Sequence, residues 1–206
     1  MTSEPMIYVV DDDQGARESV CALVKSLNGH CRQFASAEEF LQAYKPELEG
    51  CLVTDLRMRG MSGLDLQAEI TRRGWVLPII LVSGYVDVRS AVQAMKGGAE
   101  QVLKKPYSDQ DLWDAIQAAL RHYSEIRVAQ ENRKSLQEKF AQLNPGERQV
   151  LDLVASGLPN KAVAHRLDIG IRTVEDRRRR VMDKLGVDSF AALMREYGKL
   201  QALESA

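Results

Sequence analysis

The chain has 206 residues, 45% of them hydrophobic and 28% charged, with a formal net charge of −1; this is the composition of one large or two small globular cores. No apolar run approaches the ~20 residues needed to cross a bilayer, and the opening stretch from Met1 to Met6 has neither the basic end nor the apolar centre of a secretory leader. The three cysteines (Cys21, Cys31, Cys51) lack any CxxC or CxxH neighbour, so they are expected as small free thiols, and membrane, disulfide-framework and zinc-finger classes are disfavoured.

The charge is unevenly spread. Residues 1–121 carry 13 Lys and Arg against 17 Asp and Glu, a net of −4, and residues 122–206 carry 15 against 12, a net of +3. An acidic front and a basic back predict two modules with different partners.

In chain order, Ile7-Tyr8-Val9-Val10 is a short apolar run that ends in Asp11-Asp12-Asp13. Residues 14–28 then carry Ala16, Val20, Leu23, Val24 and Leu27 at helical spacing and stop at Asn28-Gly29, a helix-end signal. Further apolar runs at Cys31–Phe34, Cys51–Thr54, Ile79–Val82 and Val102–Leu103 are each followed by a helical or loop segment. Short apolar strands alternating with helices predict an α/β doubly wound, five-stranded parallel sheet covered on both faces. Leu112 to Leu143 reads as helix: its first part is apolar enough to pack on the sheet, and Arg127–Lys134 is too polar to bury a face. Asn144-Pro145-Gly146-Glu147 opens a new helix, with Asn as cap, Pro in the first turn and Glu three residues after the cap. Helices near 144–156, 160–167, 171–185 and 189–200 then form a small all-α four-helix module. The expected division is 1–122 for the α/β domain, 123–141 for a helical linker and 142–206 for the helical domain.

Ligands gather at the carboxyl ends of strands in a doubly wound sheet. Here those ends are followed by Asp11 and Asp12, Asp55, Ser83 and Lys105. Three converging carboxylates repel one another and call for a hard divalent cation such as Mg²⁺, while a lysine and a hydroxyl suit the oxygens of a phosphoryl group. An acidic triplet alone is most often a solvated loop or a helix cap; the coincidence of Asp, Ser and Lys at strand ends of one sheet is what makes a site.

Val10-Asp11-Asp12-Asp13, Thr54-Asp55-Leu56-Arg57-Met58, Met61-Ser62-Gly63, Val82-Ser83-Gly84 and Lys105-Pro106-Tyr107 resemble the receiver domain of bacterial response regulators, through essentially all of residues 6–121. The resemblance implies a flavodoxin-like receiver in which Asp55 is the phosphoacceptor, supplied by a sensor histidine kinase, with Ser83 and Lys105 on the phosphoryl oxygens. It also implies Mg²⁺ held by Asp12, Asp55 and the Arg57 backbone carbonyl, with Asp11 bound directly or through water. The enzyme alternative is a phosphatase of the haloacid-dehalogenase type. Such enzymes need a second Asp two residues after the nucleophile as general acid and base; that position is Arg57, which cannot serve. Only self-phosphotransfer and auto-dephosphorylation are therefore expected. Three departures stand out: Val102 where many receivers carry a switch aromatic, Arg59 where Pro is usual, and Ser83 in place of Thr.

In the helical module, Asn160–Leu167, a turn at Asp168–Gly170 and a helix from Ile171 predict helix-turn-helix geometry. Winding 171–185 at ~100° per residue puts Val174, Val181, Met182 and Leu185 on one face and Arg172, Asp176, Arg179 and Asp183 opposite, with Glu175 and Arg180 at the edges and Arg178 toward the apolar side. Charge alone fits a solvated face equally well. The stretches Leu143–Leu151, Gly157–Ala164, Arg172–Glu175 and Val181–Leu185 resemble the LuxR-type DNA-binding domain, and the whole chain resembles a FixJ/NarL-type response regulator. By that resemblance, residues 171–185 enter the major groove of promoter DNA. Lys161 and Thr173 contact phosphates, Glu175, Asp176 and Arg179 face bases or backbone, and Arg172 and Arg180 lie on the same surface. A cytoplasmic transcription regulator is implied that dimerises on phosphorylation, through the Ala91–Gly98 helix and the strand before Lys105, and works with RNA polymerase. The competing non-enzyme reading is a signalling adaptor whose helical domain binds protein.

Overall fold

A computed structural model describes residues 4–46, 49–85 and 87–204. Residues 1–3 of the stretch read for a leader, and the last two of the helical module, lie outside the described residues. Two compact units divide at Arg127/Val128.

In the first unit five parallel strands, β1 (Met6–Val10), β2 (His30–Phe34), β3 (Gly50–Asp55), β4 (Ile79–Ser83) and β5 (Gln101–Lys104), take the order β2-β1-β3-β4-β5. The sequence explains which strands lie inside. β3 and β4 are buried at every position, whereas β2 and β5, at the edges, carry the polar residues His30, Arg32, Gln33, Gln101 and Lys104. Period-2 alternation divides the apolar residues between two layers. Tyr8, Val10, Leu52 and Leu81 pack with Phe34, Phe40, Leu66 and Ile70 under α2 (Ala37–Ala43), α3 (Gly63–Arg72) and α4 (Val88–Lys96). Ile7, Val9, Val53, Ile80 and Val82 pack with Val20, Val24, Leu112 and Ile116 under α1 (Gln14–Ser26) and α5 (Asp109–Ala141). Each fully buried Leu or Ile contributes roughly 1.5–3 kcal/mol of apolar burial, which fixes register as well as stability, because a slip by one residue would exchange the two layers.

Register places the chemistry. Val10 pairs with Thr54, Asp55 with Val82 and Ser83 with Lys104, so Asp11, Asp55, Ser83 and Lys105 leave the sheet at one edge. Helices begin close to that edge. Asp13 caps α1 by accepting from Ala16 N, Ser62 caps α3 in a reciprocal capping box with Asp65, and Asp87 caps α4 through Ser90 N. Gly63 is required where α3 starts, since a Cβ there would lie 2.3 Å from the Asp55 carbonyl oxygen.

Two expectations need correction. Cys21 and Cys31 are not free thiols but a disulfide, with Cα atoms 5.5 Å apart. The reversal at Asn28, at φ 60°, lays the end of α1 against the start of β2 and brings together residues with no motif spacing. Cys51 is free and fully buried, and burial pushes its thiol up to about 12, which makes it unreactive. The segment read as a linker also differs from a spacer. Residues 124–135 of α5 are exposed or half-buried, but Leu136 and Phe140 enter the core of the second unit.

In that unit α6 (Pro145–Ala155), α7 (Asn160–Leu167), α8 (Ile171–Leu185) and α9 (Phe190–Glu204) follow the Asn144 cap. Leu136, Phe140, Leu151, Val181, Leu185, Leu193 and Leu200 form one cluster, and Val150, Val154, Val163, Ala164 and Val174 the other. One ionic contact ties α6 to α8. Glu147, 1% exposed, accepts from Lys184 Nζ at 2.6 Å and from Asn144 N at 2.9 Å. Burial alone would raise the Glu147 pKa, but the Lys184 and Asn144 hydrogen bonds and the Lys184 and Arg180 charges outweigh it and hold the carboxyl below its ordinary value. A carboxyl depressed in the folded state contributes stability that is present above its unfolded pKa and is lost as pH falls through the folded one. Lys184→Met, which strands the buried carboxylate, is expected to cost about 1–3 kcal/mol, discounted for the half-exposed lysine. Hydrogen exchange at α6 and α8 amides measures this; the loss is expected at neutral pH and should shrink on acidification, and a pH-independent difference contradicts the assignment.

Candidate functional site

The carboxyl edge of the sheet carries the first candidate site. Asp11 and Asp55 end neighbouring strands and are 5% and 8% exposed, so their mutual repulsion is poorly screened by water. Lys105 relieves it: Nζ donates to Asp11 Oδ2 at 2.8 Å and to Asp55 Oδ1 at 2.7 Å. Burial works to lower the Lys105 pKa, but the hydrogen bonds and charges of the two aspartates prevail and hold the ammonium above the ordinary lysine value. The second oxygen of each carboxylate is fixed by backbone: Asp13 N donates to Asp11 Oδ1 at 2.9 Å, and Arg57 N to Asp55 Oδ2 at 2.7 Å. Arg17 closes the far side with a hydrogen bond to the Asp11 carbonyl at 2.6 Å.

The remaining predicted pocket residues lie at the same edge without joining that contact. Asp12 faces Arg59, with Oδ2 3.7 Å from Nε and 3.4 Å from the Arg59 N–H donor. The Ser83 hydroxyl, 2% exposed as a residue, donates to the Tyr85 carbonyl at 2.9 Å and accepts from Tyr85 N at 3.3 Å. The Arg57 side chain lies 5.1 Å over the Tyr85 ring and 3.9 Å from Asp87. Val102 packs half-buried against the apolar layer under α2–α4.

Among the described residues no three His, Cys, Asp or Glu side chains are gathered around a common point. Lys105 pairs with Asp11 and Asp55, and Arg59 with Asp12. The donor set at this edge is all oxygen, three carboxylates and the Arg57 carbonyl, and that chemistry fits a hard divalent cation. Arg17 and Asp87 were not singled out from sequence; only the position of Asp87 shortly after a strand end hinted at it.

The second candidate site is α8. Lys161, Arg172, Thr173, Glu175, Asp176, Arg179 and Arg180 are all exposed, on α7 and on the side of α8 away from Val174, Val181 and Leu185. The arginine run divides by direction. Arg178 Nη1 donates to Asn160 Oδ1 at 2.6 Å and its guanidinium lies 5.3 Å over the Phe190 ring, tying α7, α8 and α9. Arg177 reaches the Gly146 carbonyl at 3.4 Å. Arg179 and Arg180 point outward. The positive φ at Asp168, 53°, makes the tight turn between α7 and α8.

Comparison with known proteins accounts for both regions. Residues 7–117 match the response regulator receiver domain, and residues 141–196 match the bacterial regulatory proteins of the luxR family. Nodulation protein W of Bradyrhizobium diazoefficiens is 41% identical over 194 residues, covering 94% of this chain and 86% of that protein. Transcriptional regulatory protein FixJ of Azorhizobium caulinodans is 40% identical over 189 residues, covering 92% and 90%. The low-resolution structure of the response regulator StyR superimposes with a TM-score of 0.91 at 40% identity, covering 96% of this chain and all of that one.

The division of the arginine run is directly testable. Arg178→Ala removes a charged hydrogen bond and a ring contact between helices and is expected to destabilise the second unit by about 1–2 kcal/mol. Arg172→Ala, on the exposed face, should change stability by less than about 0.5 kcal/mol. Thermal unfolding followed by helical circular dichroism compares the two, and equal effects contradict the assignment.

Proposed function

The chain belongs to the response regulators that join a receiver domain to a luxR-family DNA-binding domain, and from that premise we propose that Asp55 is its phosphoacceptor and α8 its DNA-reading helix. The family is one of phosphorylation-dependent transcription regulators of two-component systems, not of classical enzymes, and membership implies a histidine kinase as donor and DNA as target. The observation that carries the assignment of Asp55 is the Lys105 ammonium shared between two aspartates at adjacent strand ends. Of the two, Asp55 is the one flanked by Ser83 on the next strand.

An Asp55 oxygen attacks phosphorus as the phosphohistidine nitrogen leaves, forming the O–P bond as the N–P bond breaks. Arg57 N–H holds the other Asp55 oxygen and so aims the attacking one. Lys105 transfers its hydrogen bond from Asp55 to a phosphoryl oxygen, and the Ser83 hydroxyl turns from the Tyr85 carbonyl to another. Asp11, Asp12, Asp55 and the Arg57 carbonyl would hold Mg²⁺, which when bound supplies positive charge against the carboxylates and the phosphoryl oxygens. The receiver reading of 1–122 and the DNA-binding reading of 142–206 belong to this proposal, and the 123–141 linker is shortened in it, because Leu136 and Phe140 pack in the core of the helical module. Lys161 and Thr173 meet phosphates, and Arg172, Glu175, Asp176, Arg179 and Arg180 line the groove-facing surface. Among the described residues no helix is long and apolar enough to cross a membrane; a cytoplasmic location, and action on RNA polymerase, complete the reading.

With acetyl phosphate as donor, label is expected on the wild-type chain only when Mg²⁺ is present, and Asp55→Asn is expected to abolish it. Undiminished labelling of Asp55→Asn overturns the assignment.

Dimerisation belongs to the same proposal. α4 leaves Val88, Val92 and Met95 exposed by 82%, 47% and 52% while Ala94 is buried, so its outer face is apolar beyond what the sheet consumes. Beryllofluoride, a mimic of aspartyl phosphate, is expected to convert monomer to dimer in sedimentation, and Val92→Glu/Met95→Glu to keep the treated protein monomeric. A monomer under both conditions in the unsubstituted chain refutes phosphorylation-driven pairing.

A further inference from the structure

Glu175 and Asp176 lie on the exposed side of α8, among Arg172, Arg179 and Arg180. Acids on a surface that meets a polyanion reduce affinity, since each opposes the phosphate contacts from which sequence-independent binding derives. Asp176 is not idle there. Its Oδ1 accepts from Arg179 Nη2 at 2.8 Å, with the two side chains 53% and 73% exposed. An exposed pair one helical turn apart adds little to stability, so the folded state does not explain its presence. Nor are the other arginines of the run equivalent. Arg177 and Arg178 are spent on Gly146 and on Asn160 with Phe190, and Arg172 and Arg180 have neither a hydrogen bond nor an ion pair among the described residues. Among the described residues Arg179 is therefore the one outward arginine of α8 whose guanidinium has an acidic partner on the helix.

A guanidinium presents its donors in a rigid planar fork. With Nη2 donating one hydrogen bond to Asp176 Oδ1, the remaining N–H groups of Arg179 can meet the paired O6 and N7 acceptors of guanine in the major groove, and the other oxygen of Asp176 can accept from a cytosine N4 amino group. The same carboxylate penalises bases that offer only acceptors at that point, a repulsive element of the kind that turns affinity into discrimination. We propose that Asp176 is a specificity-determining positioning residue, which orients Arg179 so that the two side chains read one G·C step of the operator as a unit. The inference rests on the reading of α8 as the groove-facing helix.

Full-length protein treated with beryllofluoride and Mg²⁺ is used to select duplexes from a random-sequence pool at fixed salt, as wild type, Asp176→Ala, Asp176→Asn, Arg179→Ala and the double Ala variant. Wild type is expected to enrich a fixed G in each half-site, with a preference of about tenfold or more over other bases. Arg179→Ala should lose that preference. Asp176→Ala should lower it at least about fivefold while binding random duplex more tightly, because a negative charge has gone. Asp176→Asn, whose amide oxygen still accepts from Arg179, should recover part of the preference, and the double variant should select no worse than Arg179→Ala alone. A misfolded variant would lose all binding and would not show tighter binding to random duplex. Asp176→Ala with undiminished G preference and uniformly tighter binding overturns the inference and leaves the DNA-binding reading standing. A wild-type chain that enriches no sequence overturns that reading and the inference with it.

Discussion

Two aspartates at the ends of neighbouring strands, each almost removed from water, would push the sheet edge apart if nothing neutralised them. Lys105 does so by placing one ammonium between Asp11 and Asp55. Because that ammonium is anchored on β5 and the aspartates on β1 and β3, a single contact spans three of the five strands and fixes the geometry of their ends. Its energetic character matters for function. A part-buried ion pair contributes little net stability beyond neutralising charges already buried, so it can be re-partitioned when a more negative group arrives. The contact that holds the resting state together is thus the one a phosphoryl group on Asp55 would compete for.

The periphery of the pocket is built so that local change reaches helices. Asp12, Arg57 and Ser83 pair respectively with Arg59, with Asp87 and Tyr85, and with Tyr85, all residues of the two loops that lead into α3 and α4. Asp87 is also the N-cap of α4, the helix with the exposed apolar face. Val102 stands on β5 where many receivers carry an aromatic, and Tyr85 and Asp87 both contact Arg57. The second unit follows a different logic: its buried Glu147–Lys184 pair and the inward Arg177 and Arg178 stabilise the platform, while Arg172, Glu175, Asp176, Arg179 and Arg180 remain exposed on α8.

Much of this is legible in the sequence because the signals are local. Apolar runs as short as Ile7–Val10 and Ile79–Val82 mark central strands, and the residues that end them mark the site, since parallel register aligns strand ends. The Asn144–Glu147 capping box locates α6, and helical winding separates Arg178 from Arg179. What the sequence hides is non-local. The Cys21–Cys31 disulfide depends on how α1 folds back on β2, and an odd cysteine count without motif spacing gives no sign of it. Leu136 and Phe140 are two apolar residues in a polar stretch, and their burial is decided by Leu151, Val181, Leu193 and Leu200, remote in sequence. Composition cannot show that Asp12 turns to Arg59 while Asp11 turns to Lys105, because both acids are adjacent and identical in kind.

The central claim is that Lys105 is a shared counter-ion that changes partner when Asp55 is modified. A crystal structure of the beryllofluoride–Mg²⁺ adduct tests it most directly, through the distance from Lys105 Nζ to Asp55 Oδ1, which is 2.7 Å in the unmodified chain. The account predicts that this hydrogen bond is lost and that Nζ lies within hydrogen-bonding reach of a fluorine on Asp55. An adduct in which Lys105 still bridges the two aspartates, with no contact to the fluorines, would contradict it.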